Sequence, residues 1–385
     1  MYPDVSETVI ATRRLAGRSL GDALDPRNNS LNFLRLLLAS TVLFSHAYEL
    51  GLFGLNDTLN YTTAGTIAVY GFFGLSGYLI AGSALRNRPG RYLWQRFLRI
   101  FPGFRVCLLL TAFLFGTIGW IILHHEIGGY LSQSKNTPFG FEYNNWFLDM
   151  RQKLIGNIWY NGSLWTLFYE FLCYLTLLVL GMIGFLRRRI LTLFAAAAVW
   201  SLNIWISYTP SIGYHFHHHV ELMEFLKLSS IFLVGAVIYL YRNSIPDSGV
   251  LALALGLLFF ASLYLNGRGL YTEFSFTPSQ VGAPLIVYPL LWLGAHLPFQ
   301  RIGAANDYSY GVYMYAYPVT VLLATWGATR LGYVPFALLC VVVTIPLAVG
   351  SWWLVEKRAM QLRTVSWREV HSNVSGCIPW RRTDT

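Results

Sequence analysis

The sequence predicts an all-α membrane protein, a polytopic bundle of about ten transmembrane helices with both termini cytoplasmic. Three observations predict it. Of 385 residues, 55% are hydrophobic and only 12% are charged, where a soluble domain carries about 25% charged residues. Apolar runs of bilayer-spanning length recur from end to end. With an even number of spans, 21 of the 28 lysines and arginines fall on one side, the side that the positive-inside rule assigns to the cytoplasm. The net charge of +10 is then explained by inner loops facing anionic membrane lipid, and no nucleic-acid partner is needed.

The spans read at roughly 31–50, 64–85, 103–123, 163–184, 190–208, 225–241, 249–265, 281–297, 308–327 and 333–355. Residues 1–30 form a cytoplasmic N-terminal tail, 31–358 the membrane domain and 359–385 a cytoplasmic C-terminal tail. The first apolar run lies behind a polar tail and is too long for the core of a signal peptide, so it reads as an uncleaved anchor. Cys107, Cys173 and Cys340 fall within spans and Cys377 in the tail. Their spacing suits no metal, and no disulfide is expected.

The first span carries Arg35 and His46. Ionisable groups inside hydrocarbon are costly and mark functional sites by default. Eleven residues at about 100° each leave the two side chains roughly 20° apart on one helix face, and roughly 16 Å apart along its axis. Asn32 shares that face, and Glu49 follows one turn later. A buried neutral histidine can accept a proton near neutral pH. The alternative is a histidine hydrogen-bonded between packed helices.

The second span contains Gly71, Gly74 and Gly77, whose three-residue spacing permits close helix approach. Ser76 and Tyr78 are candidates to line a cavity there. The inner loop that follows holds Arg96 and Arg99, three residues apart and on one face if helical. With Arg35 they form an inner cationic cluster, and arginine forks match phosphate oxygens. Such a cluster could hold an anionic cytoplasmic cofactor whose reactive end reaches up to His46. Lipid-headgroup binding accounts for Arg86, Arg88 and Arg91 but poorly for the embedded Arg35.

The fourth span opens with Ser163, Thr166, Glu170 and Tyr174 on one face. Counted from the span edge, Glu170 lies about 10 Å below the outer surface, close to the depth of His46. A carboxylate on one ring nitrogen fixes the tautomer of the other, so Glu170 is the expected orienting partner. A protonated Glu170 bonded to backbone, or Glu49 in its place, are the alternatives. Ser163 and Tyr174 are candidate oxyanion donors. Trp146 and Trp159 in the long outer loop are candidates to stack a sugar, though aromatics at the interface also anchor membrane proteins. The cluster His215, His217, His218 and His219 lacks the spacing of structural zinc sites; no metal is expected.

Taken together, these residues resemble acyltransferase family 3, the bacterial integral-membrane O-acyltransferases, over about residues 28–362. Arg35 followed by His46, the stretch Phe72 to Tyr78, the run Arg96 to Pro102, the stretch Ser163 to Glu170, Ser309 to Tyr313, and Val355 to Lys357 match its motifs in order. Ala316 departs from the pattern, since many members carry a histidine there. The resemblance implies O-acetylation in the inner membrane: transfer of an acyl group, usually acetyl, from cytoplasmic acetyl-CoA to a carbohydrate hydroxyl of a cell-surface or lipid-linked polysaccharide. His46 and Glu170 would be catalytic. Arg35, Arg96 and Arg99 would bind the coenzyme. Ser76, Tyr78, Ser163, Trp165, Tyr174, Trp146 and Trp159 would bind substrate. The rival expectation is a transporter of a glycan or small molecule, suited by Pro284, Pro289, Pro318 and Pro346, although no inverted repeat is visible.

Overall fold

The structure is a computed structural model that describes residues 18–51, 53, 63–125, 130, 153–155, 158–209, 220–266 and 279–364. Helices occupy each of the predicted apolar runs: α1 (Leu31–Leu50), α2 (Ala64–Arg86), α3 (Pro89–His124), α4 (Trp165–Met182), α5 (Arg189–Tyr208), α6 (Val220–Tyr241), α7 (Gly249–Asn266), α8 (Ala283–His296), α9 (Ser309–Thr325) and α10 (Tyr333–Gln361). Two short strands, Lys153–Ile155 and Ile158–Trp159, pair antiparallel before α4. Among the described residues six helices (α2 to α6 and α10) are long and apolar enough to cross a membrane, and α7 and α8 are shorter apolar helices. The polar Arg35, His46 and Glu49 keep α1 out of that set, and α9 has only 17 residues. Phe194 on α5, Val250 and Leu253 on α7 and Val342 on α10 turn large apolar side chains outward, as lipid-facing helices do.

Three segments differ from expectation. The supposed inner loop before the third span is helical from Pro89, which occupies the first turn, where its missing N–H is tolerated. Arg96 and Arg99 therefore sit on a rigid helix. That helix carries on through Pro102 and a π-helical turn at Thr111–Phe115. The last helix runs past its expected end through a second π-helical turn, Trp352–Glu356, to Gln361. Residues 18–30 do not trail as a tail. Ser19 and Asp22 form a capping box around the turn Leu20–Ala23, Leu20 and Leu24 are buried, and backbone bonds join Leu20 to Ile245 and Gly21 to Arg242.

These contacts gather one end of the bundle. Ser30 hydroxyl donates to the Leu297 carbonyl, Asn32 amide to that of Gly303, and Trp94 Nε1 to that of Leu362. The starts of α1, α3 and α9 and the end of α10 thus converge, and Gly303, at φ 74°, turns the chain tightly against Asn32.

Helices α2 and α6 meet backbone to backbone. Gly77 lies on the Phe232 backbone and Gly235 on the Gly74 carbonyl, so a methyl at either position would overlap backbone that cannot move aside. Gly77→Ala is expected to cost about 1–3 kcal/mol or more through overpacking, read as a lower thermal midpoint in detergent. An unchanged midpoint would refute the tight contact.

Candidate active site

A cavity of about 460 Å³ opens where those helix ends converge. Arg35 reaches it from α1, Ser76 from α2, Arg96 and Arg99 from α3, Glu170 and Tyr174 from α4, and Arg363 from the turn after α10. Hydrogen bonds between helices fix this wall. Tyr92 hydroxyl donates to the Tyr174 carbonyl at 3.0 Å, tying α3 to α4, and Tyr310 hydroxyl donates to the Ile100 carbonyl at 2.7 Å, tying α9 to α3.

Asp307, just before α9, holds two of the arginines together. Its Oδ2 accepts from Arg35 Nη1 at 2.7 Å and from Arg99 Nη2 at 2.6 Å. Its Oδ1 accepts from the Ser309 amide at 3.2 Å and hydroxyl at 2.5 Å. Burial alone would raise the carboxyl's pKa, but the two guanidiniums outweigh it and hold the group well below the usual carboxylate range. Arg96 has no such partner among the described residues. Its guanidinium lies 5.8 Å from the Tyr174 ring centre, and its buried Nε makes no hydrogen bond. Four arginines therefore face two carboxylates, Asp307 and Glu170, around the cavity.

A second cavity of about 40 Å³ shares Arg35, Glu170 and Tyr310 with the first and extends to Val69, Phe72 and Tyr313. Above it, His46 meets the edge of Tyr317 at 4.9 Å between ring centres. Its Nδ1 lies 3.6 Å from Glu49 Oε2, and Glu49 Oε1 accepts from Ser45 hydroxyl at 2.7 Å.

A family model described as an acyltransferase domain matches residues 28–353. The chain belongs to acyltransferase family 3. The acyltransferase is 32% identical over 344 residues to an O-acetyl transferase of Shigella phage Sf6, an alignment covering 86% of this chain and 96% of the phage protein. It is 28% identical over 368 residues to nodulation protein 10 of Rhizobium leguminosarum bv. viciae, covering 87% and 94% of the two chains. No solved structure matches it. Family membership makes the protein an enzyme and sets aside the transporter expectation.

The acyltransferase brings Arg35, Arg96, Arg99, Ser76, Glu170 and Tyr174 into the wall of one cavity. Other expectations need correction. Glu170 does not pair with His46: its Oε1 accepts from Ser76 hydroxyl at 3.0 Å and Tyr174 hydroxyl at 2.5 Å, and the carboxylate beside His46 is Glu49. Tyr160, Asn161 and Leu164 are fully buried before α4 begins, so the chain is already deep in the bundle and counting from the span edge placed Glu170 too high. Tyr174 spends its hydroxyl on Glu170 and is not a free oxyanion donor. Tyr78 packs edge-on against Tyr239 at 5.4 Å and Trp165 against Tyr169 at 5.6 Å, neither in the cavity wall. Ser163 is buried, its carbonyl accepts from Tyr313 hydroxyl at 2.8 Å, and its own hydroxyl has no partner among the described residues. Trp146, the Trp159 side chain and the His215–His219 cluster lie outside the described residues.

Sequence reasoning named Tyr313 only within a family motif and gave Asp307 and Arg363 no place in the site. Asp307 left a faint signal: it is an acidic residue at the border of a span on the side where arginines dominate.

Proposed function

We propose that the enzyme transfers an acetyl group from cytoplasmic acetyl-CoA to a hydroxyl of a cell-envelope carbohydrate, working from the inner membrane as a ten-span protein with both ends cytoplasmic. The observation that carries this is the arginine cavity with His46 above it on the same helix. The buried, unpartnered Nε of Arg96 is a donor waiting for an anion, and the excess of guanidinium over carboxylate suits phosphate. Arg35 and His46 stand roughly 16 Å apart along α1. A donor fits that separation only if a long arm joins its phosphates to its reactive group, as in acyl-CoA; a compact acyl phosphate does not.

Bound acetyl-CoA would supply the activated acyl thioester. The chain's own residues do the rest. Arg96, Arg35, Arg99 and Arg363 hold the phosphates. Glu49, itself held by Ser45, favours the His46 tautomer with a proton on Nδ1. The other ring nitrogen, Nε2, then accepts the proton of the acceptor hydroxyl. Ser163, with its hydroxyl unspent, can donate to the carbonyl oxygen as charge builds there. Glu170 supports the cavity wall through Ser76 and Tyr174.

The test uses the purified protein in lipid nanodiscs with radiolabelled acetyl-CoA and a lipid-linked glycan extract. Label on glycan with matching release of free coenzyme is expected. Arg96→Gln should weaken donor binding by about tenfold or more, the scale of one lost hydrogen bond to a charged group. If the parent neither binds acetyl-CoA nor releases coenzyme with the extract present, the donor assignment fails.

A further inference from the structure

Resting on the donor reading above, we propose that the small cavity of about 40 Å³ is the acyl pocket, and that Phe72 and Tyr313 limit the transferred group to a short chain.

Three observations support its place on the donor's path. The cavity shares Arg35, Glu170 and Tyr310 with the large one, so the two adjoin. Along α9, Tyr310, Tyr313 and Tyr317 follow three- and four-residue spacing on one face. The first lines both cavities, the second only the small one, and the third touches His46. Along α2, Ser76 lines the large cavity while Phe72 and Val69 line the small one, a climb of roughly 10 Å over seven residues. Both helices therefore lead from the arginines towards His46 through the same narrow space.

Its size and stiffness set the selectivity. A space of about 40 Å³ has room for a few water molecules, enough for an acetyl group and too little for a long chain. Its Tyr313 side is held by hydrogen bonds. Tyr313 hydroxyl donates to the Ser163 carbonyl at 2.8 Å and is hydrogen-bonded to Thr166 hydroxyl. The Phe72 ring stands edge-on to Tyr313 at 5.7 Å between centres. Phe72 has no polar tether, so its truncation opens the pocket without breaking a hydrogen bond.

The test is a chain-length series, acetyl- to octanoyl-CoA, followed by free coenzyme release in nanodiscs with the acceptor extract. In the parent, kcat/KM is expected to fall about tenfold or more for each methylene beyond the fit, the usual discrimination of a closed apolar pocket. Phe72→Ala, normalised to its own acetyl rate, should move the optimum to longer chains by two or more carbons. Val69→Ala, a milder change in the same wall, should move it in the same direction and guards against misfolding of the first variant. If the parent uses acetyl-CoA and both variants keep the parental profile, the pocket assignment is wrong while the donor reading stands. If the parent already uses octanoyl-CoA as well as acetyl-CoA, the size limit is wrong. If it uses no acyl-CoA at all, donor reading and pocket fall together.

Discussion

His46→Ala is expected to lower acetyl transfer by roughly 10²–10⁴-fold, the contribution of a positioned general base. Acetyl-CoA should still bind near the parental level, because the arginines that hold it lie roughly 16 Å away along α1. The pairing of His46 with Glu49 sharpens the prediction. Glu49→Gln removes a carboxylate 3.6 Å from Nδ1. At that distance the contact is longer than a short hydrogen bond, so a loss of only about tenfold is expected, in turnover and not in donor affinity. Glu170→Gln should behave differently. Its carboxylate accepts from Ser76 and Tyr174 in the cavity wall, so its loss should appear in donor KM. Single-turnover rates and donor titrations on the three variants separate these outcomes. A Glu170 variant that matches Glu49→Gln in turnover loss with unchanged KM would restore Glu170 as the partner of His46.

Asp307→Ala is expected to produce the largest loss of stability in the site. Removing one partner of a buried pair costs about 3–5 kcal/mol, because it leaves charge buried without compensation. Here two guanidiniums from different helices would face each other across the vacated position. Coenzyme A should restore part of the thermal midpoint, since a phosphate can take the carboxylate's place between the arginines. Asp307→Glu should retain more stability than Asp307→Ala. Acidification provides a second check. A carboxylate whose pKa is depressed in the folded state contributes stability that is fully present above the unfolded value, about 3.9. That stability is lost as pH falls through the depressed folded value. The clamp should therefore hold unchanged across the neutral and mildly acidic range. A midpoint in Asp307→Ala equal to the parent's, with or without coenzyme, would show that the arginines do not depend on it.

The contrast between Arg35 and Asp307 shows what the sequence could reveal. Arg35 announces itself because a charge inside an apolar run is costly wherever the helix packs. Asp307 sits between helices, where an aspartate is ordinary, and its importance arises only when α9 lies beside α1 and α3. Helix positions were legible for the same reason as Arg35: apolar length is a local property. Depth was not. Glu170 was matched to His46 by counting from a span edge, but burial of Tyr160, Asn161 and Leu164 begins before the helix does. A partner one turn along the same helix, Glu49, needed no tertiary arrangement to reach His46. The helical start of α3 was hidden by the five arginines between residues 86 and 99, which lower hydropathy without disfavouring helix.

The Arg35–Asp307 pair also bears on how the protein is made. The two residues lie 272 positions apart. As the chain leaves the ribosome, α1 enters the bilayer with its arginine uncompensated and stays so until nearly all the remaining helices have been synthesised. Likewise, the segment around Leu20 must wait for Ile245. The arginine cavity therefore cannot close until the segment before α9 has been made.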